Sequence, residues 1–316
     1  MNYRKDTLEF HIEEPCVLTL GKFDGLHLGH RYLMEEMRRG RQQGLTSVVF
    51  TFDIPPRSLT ENDCRVLTTN AEKLKIFEQA GVDELVECRF TDDLRRMTPY
   101  EFLRLLTSKI NVKRIVAGRD FCFGYRRSGT WRELVQYSSQ FGYETVIVSK
   151  KQYKGEDISS TRIRACVAEG NMEEAAALLG YSFFVSAPVL CGNQIGKTLG
   201  FPTANQRPPQ EKLLPPNGVY AVKVQIDGID YYGMSDIGRK PTVEGEYPVG
   251  IETNIFDFNG DLYGREIQVS FLHYIRPEKK FETLEELSAQ ITADKVAIAA
   301  YLKERRQAAG WPIFVV

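Results

Sequence analysis

The sequence predicts an α/β domain with a doubly wound parallel sheet over residues 1–180, then a small antiparallel β-barrel with a C-terminal helix over 183–306 and a tail at 307–316. Three observations predict it. Short Val- and Ile-rich runs alternate with helical patterns through the first 180 residues, as strands covered on both faces alternate with crossover helices. Near Gly180 the pattern changes to short strands separated by Gly, Pro and Asn, the punctuation of an antiparallel barrel. A length of 316 residues accommodates two domains, since single domains usually run to ~100–200 residues.

In chain order, the first strand is expected at 17–20 and is followed by GKFDGLHLGH at 21–30, a glycine-rich turn leading into an amphipathic helix. Further strands are expected at 47–52, 84–88, 114–117 and 145–148. Thr69 with Glu72 opens one intervening helix as a capping box, and Thr98, Pro99 and Glu101 open another with proline in its first turn. Helices at 160–169 and 172–179 close the first half. Strands at 183–190, 219–225, 231–235, 249–256 and 266–271 build the barrel. A last helix, capped by Thr283 and Glu286, runs to about Arg306 and packs on it. The apolar tail is expected to lie on a neighbouring surface.

Composition excludes several classes of function. With 41 basic and 42 acidic residues and a net charge of -1, there is no bulk attraction to nucleic acid or anionic lipid. The six cysteines are scattered, without a CxxC pair or a nearby His at metal-ligand spacing, so they read as free thiols of a reducing compartment. No run approaches the ~18 apolar residues of a membrane span. A cytoplasmic protein acting on small molecules is expected; the oligomeric state is not encoded legibly.

Three stretches share the predicted ligand edge of the sheet, beyond the carboxyl ends of its strands. In the first, Gly21, Gly25 and Gly29 allow close approach of backbone to a ligand. If the helix begins near Leu26, His27 and His30 share one face at its N-terminus, where unpaired amides and the macrodipole favour an anion. In the second, GRDFCFG at 118–124, Arg119 and Asp120 reach the same edge, and Phe121 and Phe123 either stack on a flat ring or belong to the core. In the third, ISSTRIR at 158–164, Ser159, Ser160, Thr161 and Arg164 combine hydroxyls, helix-terminal amides and a guanidinium. That set suits a pyrophosphate, although a plain helix cap with solvated arginines is the alternative.

These three stretches in this order resemble the prokaryotic bifunctional riboflavin kinase/FAD synthetase family, whose N-terminal module is an HxGH nucleotidyltransferase. The second half is similar to the family's flavokinase module through GKTLGFPTAN (196–205), NGVYAV (217–222), IGRKPT (237–242), IETNIFDFNGDLYG (251–264) and IRPEKKF (275–281). The resemblance implies an FMN adenylyltransferase domain at 1–180 and a riboflavin kinase domain at 183–306, making FMN from riboflavin and then FAD from FMN, each with ATP and Mg2+.

By the same resemblance, His27 and His30 are catalytic, and Gly21, Phe23, Asp24, Gly25, Gly29, Ser159, Ser160, Thr161 and Arg164 bind ATP and its phosphates. Arg119, Asp120, Phe121 and Phe123 place nucleotide or flavin. In the kinase half, Glu252 is the catalytic carboxylate, Thr203 and Asn205 hold the metal–nucleotide, and Gly196, Lys197, Gly200, Phe201, Pro202 and Arg276 bind ATP or flavin. Glu252 alternates with Ile251 and so faces away from that apolar side.

Four positions depart from the family pattern. Cys191 and Asn254 stand where it usually has His, Lys197 where it has Arg, and Asp236 where it has Asn. Competing readings are therefore a monofunctional FMN adenylyltransferase with a degenerate barrel, or a flavin-sensing regulator without turnover. Another HxGH adenylyltransferase would leave the second domain unexplained.

Overall fold

A computed structural model describes residues 1–7, 9–53, 65–192, 200–239 and 249–307. They form two compact units, Met1–Ser160 and a second beginning at Thr161.

The first unit contains β1 (Asn2–Lys5), β2 (Ile12–Leu20), α1 (Leu28–Gln42), β3 (Thr46–Asp53), α2 (Asn70–Gln79), β4 (Glu84–Arg89), α3 (Asp92–Arg96), α4 (Pro99–Lys109) and β5 (Ile110–Gly118). A small hairpin of β6 (Cys122–Phe123) and β7 (Gly129–Thr130) leads to α5 (Trp131–Gln136), α6 (Ser138–Phe141) and β8 (Glu144–Val148), then to a second hairpin of β9 (Gln152–Tyr153) and β10 (Glu156–Asp157). Six strands form one parallel sheet in the order β1-β4-β3-β2-β5-β8. The five expected strands are all present. β1 was not expected, because NYRK has no apolar core; it docks on β4 through polar side chains, with Arg4 Nε donating to Glu84 (3.0 Å) and Tyr3 Oη to Glu87 (3.0 Å).

Both sheet faces are buried, as a doubly wound fold requires. Leu18, Val48, Phe50 and Ile115 pack with Phe102 and Leu103 of α4, whereas Val17, Val49, Leu85 and Val116 pack with Leu33 and Met37 of α1 and Phe77 of α2. The capping boxes of Thr69 with Glu72 and Thr98 with Glu101 are closed reciprocally. The chain winds outward from β2 through β3 and β4, then returns to β5 on the other side of β2. That reversal opens a crevice at the carboxyl ends of β2 and β5, where residues 21–30 and 118–124 emerge.

The second unit holds α7 (Ser160–Ala168), whose first residue closes the first unit, then α8 (Met172–Leu179), β11 (Phe184–Leu190), β12 (Ala204–Gln206), β13 (Gly218–Ile226), β14 (Ile229–Arg239), β15 (Val249–Ile255), β16 (Glu266–Arg276) and α9 (Leu284–Gln307). The six strands close a barrel in the order β11-β12-β15-β14-β13-β16. β12 was not expected as a strand; it is three residues long, and proline precedes it. Along β15, Ile251 and Thr253 are buried inside the wall, where Thr253 Oγ1 and Ser235 Oγ satisfy each other at 2.8 Å. On the outer face Val219, Ala221, Met234 and Leu272 pack with Ile298 of α9. Thr283 caps α9 by accepting from the Glu286 amide (3.2 Å), and Glu286 accepts from the Glu282 amide (3.2 Å). The tail beyond 307 and Cys64 lie outside the described residues; the other five cysteines are free thiols.

α1 approaches β2 closely at Gly40, where a Cβ would lie 2.7 Å from Val17 Cγ1. In a helix interior, glycine to alanine ordinarily stabilises by ~1 kcal/mol. Here overpacking reverses the sign, and Gly40→Ala is expected to destabilise by about 1–3 kcal/mol, measured by urea unfolding.

Candidate active sites

The 21–30 turn takes its shape from three residues in left-handed backbone, Phe23 (φ 51°), Gly25 (φ 83°) and Leu26 (φ 31°). The helix that follows starts at Leu28, later than expected, and leaves His27 as its N-cap in extended backbone with no side-chain cap. His27 folds back over Gly29, where a Cβ would lie 3.0 Å from the ring atoms Cε1 and Nδ1. Glycine is therefore required for the next contact, in which the His27 and His30 rings stack at 3.8 Å and 18°. Phe23 supports His30 edge-on at 5.3 Å and is itself wedged against Phe77 at 5.5 Å. Phe23 is thus a buried floor to the pair. Gly21 leaves room for its ring, which a Cβ would approach to 3.0 Å.

Burial decides the charge of this pair. His27 is 7% exposed, and desolvation lowers its pKa from 6.5 to about 4 against the opposing pull of Asp120. Desolvation lowers His30 well below the usual value too, with His27 adding to the effect. Both rings are neutral at pH 7. Both Nδ1 atoms are buried without a partner among the described residues, and a buried orphan N–H is less tolerable than a buried orphan lone pair. The ring protons therefore belong on Nε2. No acidic residue occupies the first turn of α1, so the positive end of its dipole is left for a ligand.

Asp24 faces the protein's own backbone. Its Oδ1 accepts from the Leu67 (2.9 Å) and Thr68 (3.1 Å) amides, the Gly25 amide donates to Thr68 Oγ1 (3.0 Å), and Ser160 Oγ donates to the Asp24 carbonyl (2.8 Å). The 21–30 turn is thereby tied to the residues before α2 and to the start of ISSTRIR. Thr68 escaped sequence reading, as did Lys73, which is 5% exposed beside the charges of Glu87, Asp24 and Asp53. Only their place around the Thr69 capping box could have signalled them.

In the second stretch, Asp120 lies 3.7 Å from Lys150, which also pairs with Asp157 at 3.0 Å. Phe123 is core, packed on Phe102 at 5.9 Å, while Phe121 stacks on Phe123 at 5.5 Å and stays partly exposed. Arg119 is exposed and lies over Trp131 at 5.6 Å. Ser159 and Ser160 end the first unit, whereas Thr161 and Arg164 belong to the second.

In the barrel, register places Asn205 of β12 opposite Glu252 of β15, and Glu252 opposite Asp236 of β14. These three polar residues form a row on the outer face, beside the α9 cluster. Asn205 Nδ2 donates to the Thr203 carbonyl (3.3 Å) and packs on Gly192, where a Cβ would come within 2.5 Å of it. Arg276 is already engaged: Nε and Nη2 donate to Asp294 of α9 (3.0 and 2.7 Å), which is 3% exposed, and Nη1 donates to the Pro277 carbonyl (2.9 Å). Gly200 (φ 80°), Phe201 and Pro202 lead into β12, while Gly196 and Lys197 lie outside the described residues. Of the departures, Cys191 is exposed, Asp236 faces Glu252, and Asn254 is buried with Nδ2 donating to the Pro202 carbonyl (2.8 Å).

Comparison with known proteins matches both halves. The FAD synthetase family model covers residues 9–162 and the riboflavin kinase family model residues 179–302. The bifunctional riboflavin kinase/FMN adenylyltransferase of Listeria monocytogenes is 35% identical over 289 residues, 90% of this chain and 92% of that one. The chain belongs to the bifunctional riboflavin kinase/FMN adenylyltransferase family. The Escherichia coli K12 member is 37% identical with the same coverage. The crystal structure of a protein named a macrolide-efflux protein, from Streptococcus pneumoniae, shares the whole-chain fold, with TM-score 0.83 and 33% identity over 95% of this chain and 99% of that one. Efflux is that protein's name; among the described residues here, no helix is long and apolar enough to cross a membrane.

For a member of this family, the neutral histidines carry a measurable signature. Unfolded His27 takes up a proton near pH 6.5, while the folded ring resists it until about pH 4. The unfolded state therefore binds more protons across this window, so stability is complete above it and is lost as pH falls through it. The shift corresponds to about 3 kcal/mol. His27→Asn is expected to flatten the fall in unfolding free energy between pH 7 and pH 4.5 by about 2 kcal/mol, measured by urea unfolding at a series of pH values.

Proposed function

We propose that the barrel unit transfers the γ-phosphate of ATP to riboflavin, giving FMN and ADP, and that the sheet unit joins FMN to the AMP moiety of a second ATP, giving FAD and pyrophosphate. The observation that carries the second reaction is the neutral, stacked His27–His30 pair at the N-terminus of α1, in a chain whose halves match the two family models in that order.

In the adenylyl transfer, an FMN phosphate oxygen attacks the α-phosphorus and the α–β bridging bond breaks, releasing pyrophosphate. The phosphate is already a nucleophile, so catalysis consists of alignment and stabilisation of the charge that grows on the α-phosphate. The Nε2–H groups of His27 and His30 and the free end of α1 supply that stabilisation. Glycines at 21, 25 and 29 let the backbone approach the nucleotide. Ser160 donates its hydroxyl proton to the Asp24 carbonyl, and Ser159 is proposed as a donor to the pyrophosphate. Phe121, with Arg119, is proposed to border the flavin or adenine ring. Asp24 serves this site by holding the turn.

In the kinase reaction, Glu252 is proposed to orient the ribityl hydroxyl and take its proton as the oxygen attacks the γ-phosphorus and ADP departs. Thr203 and Asn205 would hold Mg2+ carried on ATP. The hydroxyl and amide oxygens, with Glu252 opposite Asn205, make a hard-oxygen set that suits this ion. Mg2+ supplies charge neutralisation of the transferring phosphoryl group. Gly200, Phe201 and Pro202 are proposed to line the nucleotide or flavin, and Arg276, held by Asp294, to shape that wall. Free thiols favour a cytoplasmic setting.

The two reactions should separate. With riboflavin and ATP supplied and flavins followed by chromatography, wild type is expected to form FMN and then FAD. His30→Ala is expected to lower FAD formation by about 10²–10⁴-fold while FMN still accumulates, and Glu252→Ala to abolish FMN formation while FAD is made from added FMN. Loss of both activities from either change would rule out independent sites.

A further inference from the structure

We propose that Asn254 and Lys295 are positioning residues of the kinase site, which together clamp the turn carrying Phe201, Pro202 and Thr203 onto β15 and so hold the ATP-binding side of the site beside Glu252. The inference rests on the kinase reading given above.

The β12–β15 ladder begins only at Ala204, opposite Thr253. Pro202 has no amide hydrogen, so the ladder cannot run on through it, and Gly200 turns the chain away with a φ of 80°. Two side chains hold the turn in place of the ladder. Asn254 is 6% exposed and its Nδ2 donates to the Pro202 carbonyl at 2.8 Å. It lies on the same face of β15 as Glu252, two residues and about 7 Å along the strand. From α9, Lys295 Nζ sits 4.8 Å from the Phe256 ring centroid and 5.8 Å from that of Phe201. One cation thus bridges a ring of the turn to a ring just past the end of β15.

The turn is pinned at two successive residues immediately before Thr203, whose carbonyl in turn accepts from Asn205. Without the pins, Glu252 stays fixed in its ladder with β12 and β14, but Thr203 loses its fixed place relative to it. The effect falls on ATP binding and leaves the carboxylate untouched. A histidine at 254 also presents an N–H to the Pro202 carbonyl, so this role tolerates Asn and His and excludes an apolar residue of similar size.

The test uses the full chain and compares Asn254→Leu, Asn254→His and Lys295→Met with wild type, reading FMN formation from riboflavin and FAD formation from added FMN over a range of ATP concentrations. Asn254→Leu is expected to raise the kinase KM for ATP about tenfold, as loss of one buried hydrogen bond implies, with kcat and all FAD-forming parameters within about twofold. Asn254→His is expected to restore the KM. Lys295→Met, which leaves the Asn254 bond intact and so serves where Asn254→Leu does not fold, is expected to raise it about threefold. A lower Tm with an unchanged KM in folded Asn254→Leu, an equal rise in KM for both activities, or no rescue by His would overturn the proposal. Absence of FMN formation by wild type would instead overturn the kinase reading beneath it.

Discussion

The 21–30 turn depends on a carboxylate bonded to the protein's own backbone. Asp24 Oδ1 accepts two backbone amides from the segment entering α2, while its own carbonyl takes the Ser160 hydroxyl. Left-handed backbone at Phe23 and Leu26 costs of order 1–3 kcal/mol each. Hydrogen bonds to a charged acceptor contribute about 1.5–3 kcal/mol each, so two of them, with the Thr68 and Ser160 hydroxyl bonds, are enough to hold the strained turn. That turn delivers His27 to the N-cap and Phe23 beneath His30. Without it the glycines would make a loop, but not a stacked pair of rings.

Stacking and neutrality belong together. Two charges about 4 Å apart repel by ~1 kcal/mol in water and by ~4 kcal/mol at the effective dielectric of a protein surface. With ring centroids at 3.8 Å, double protonation is disfavoured by that repulsion and by burial alike. The unliganded pair is therefore two neutral donors at the positive end of a helix. An anion placed beside the pair would favour the charged form of each ring, opposing the burial that keeps them neutral.

Much of this was legible in the sequence because it rests on periodicity and local hydrogen bonding. Buried parallel strands declare themselves as Val- and Ile-rich runs, and capping boxes need only a Thr and a Glu three apart; both readings held, and GKFDGLHLGH fell at the strand-to-helix turn as expected. What escaped depends on tertiary direction. β1 and β12 are short and polar, held by partners far away in sequence. The inward aim of Asp24 and the capture of Arg276 by Asp294 are decided by segments 43 and 18 residues away, which no motif spacing reveals. The helix start slipped from Leu26 to Leu28 because the left-handed turn uses up two residues. Asn254, read in the sequence as a departure, becomes intelligible only once the Pro202 carbonyl is seen in front of it.

The two sets of candidate residues differ in electrostatics, and each balance follows from its fold. In the sheet unit the His27–His30 pair offers neutral rings at a helix terminus, a setting that favours an anion. In the barrel the row beside Asn205 sets Glu252 opposite Asp236, and like charges facing each other across strands are destabilising. Arg276 of β16 has its charge matched by Asp294. The carboxylates are thus concentrated in the barrel row and the neutral rings in the sheet unit. Asp236, where the family usually has Asn, adds one carboxylate to that row.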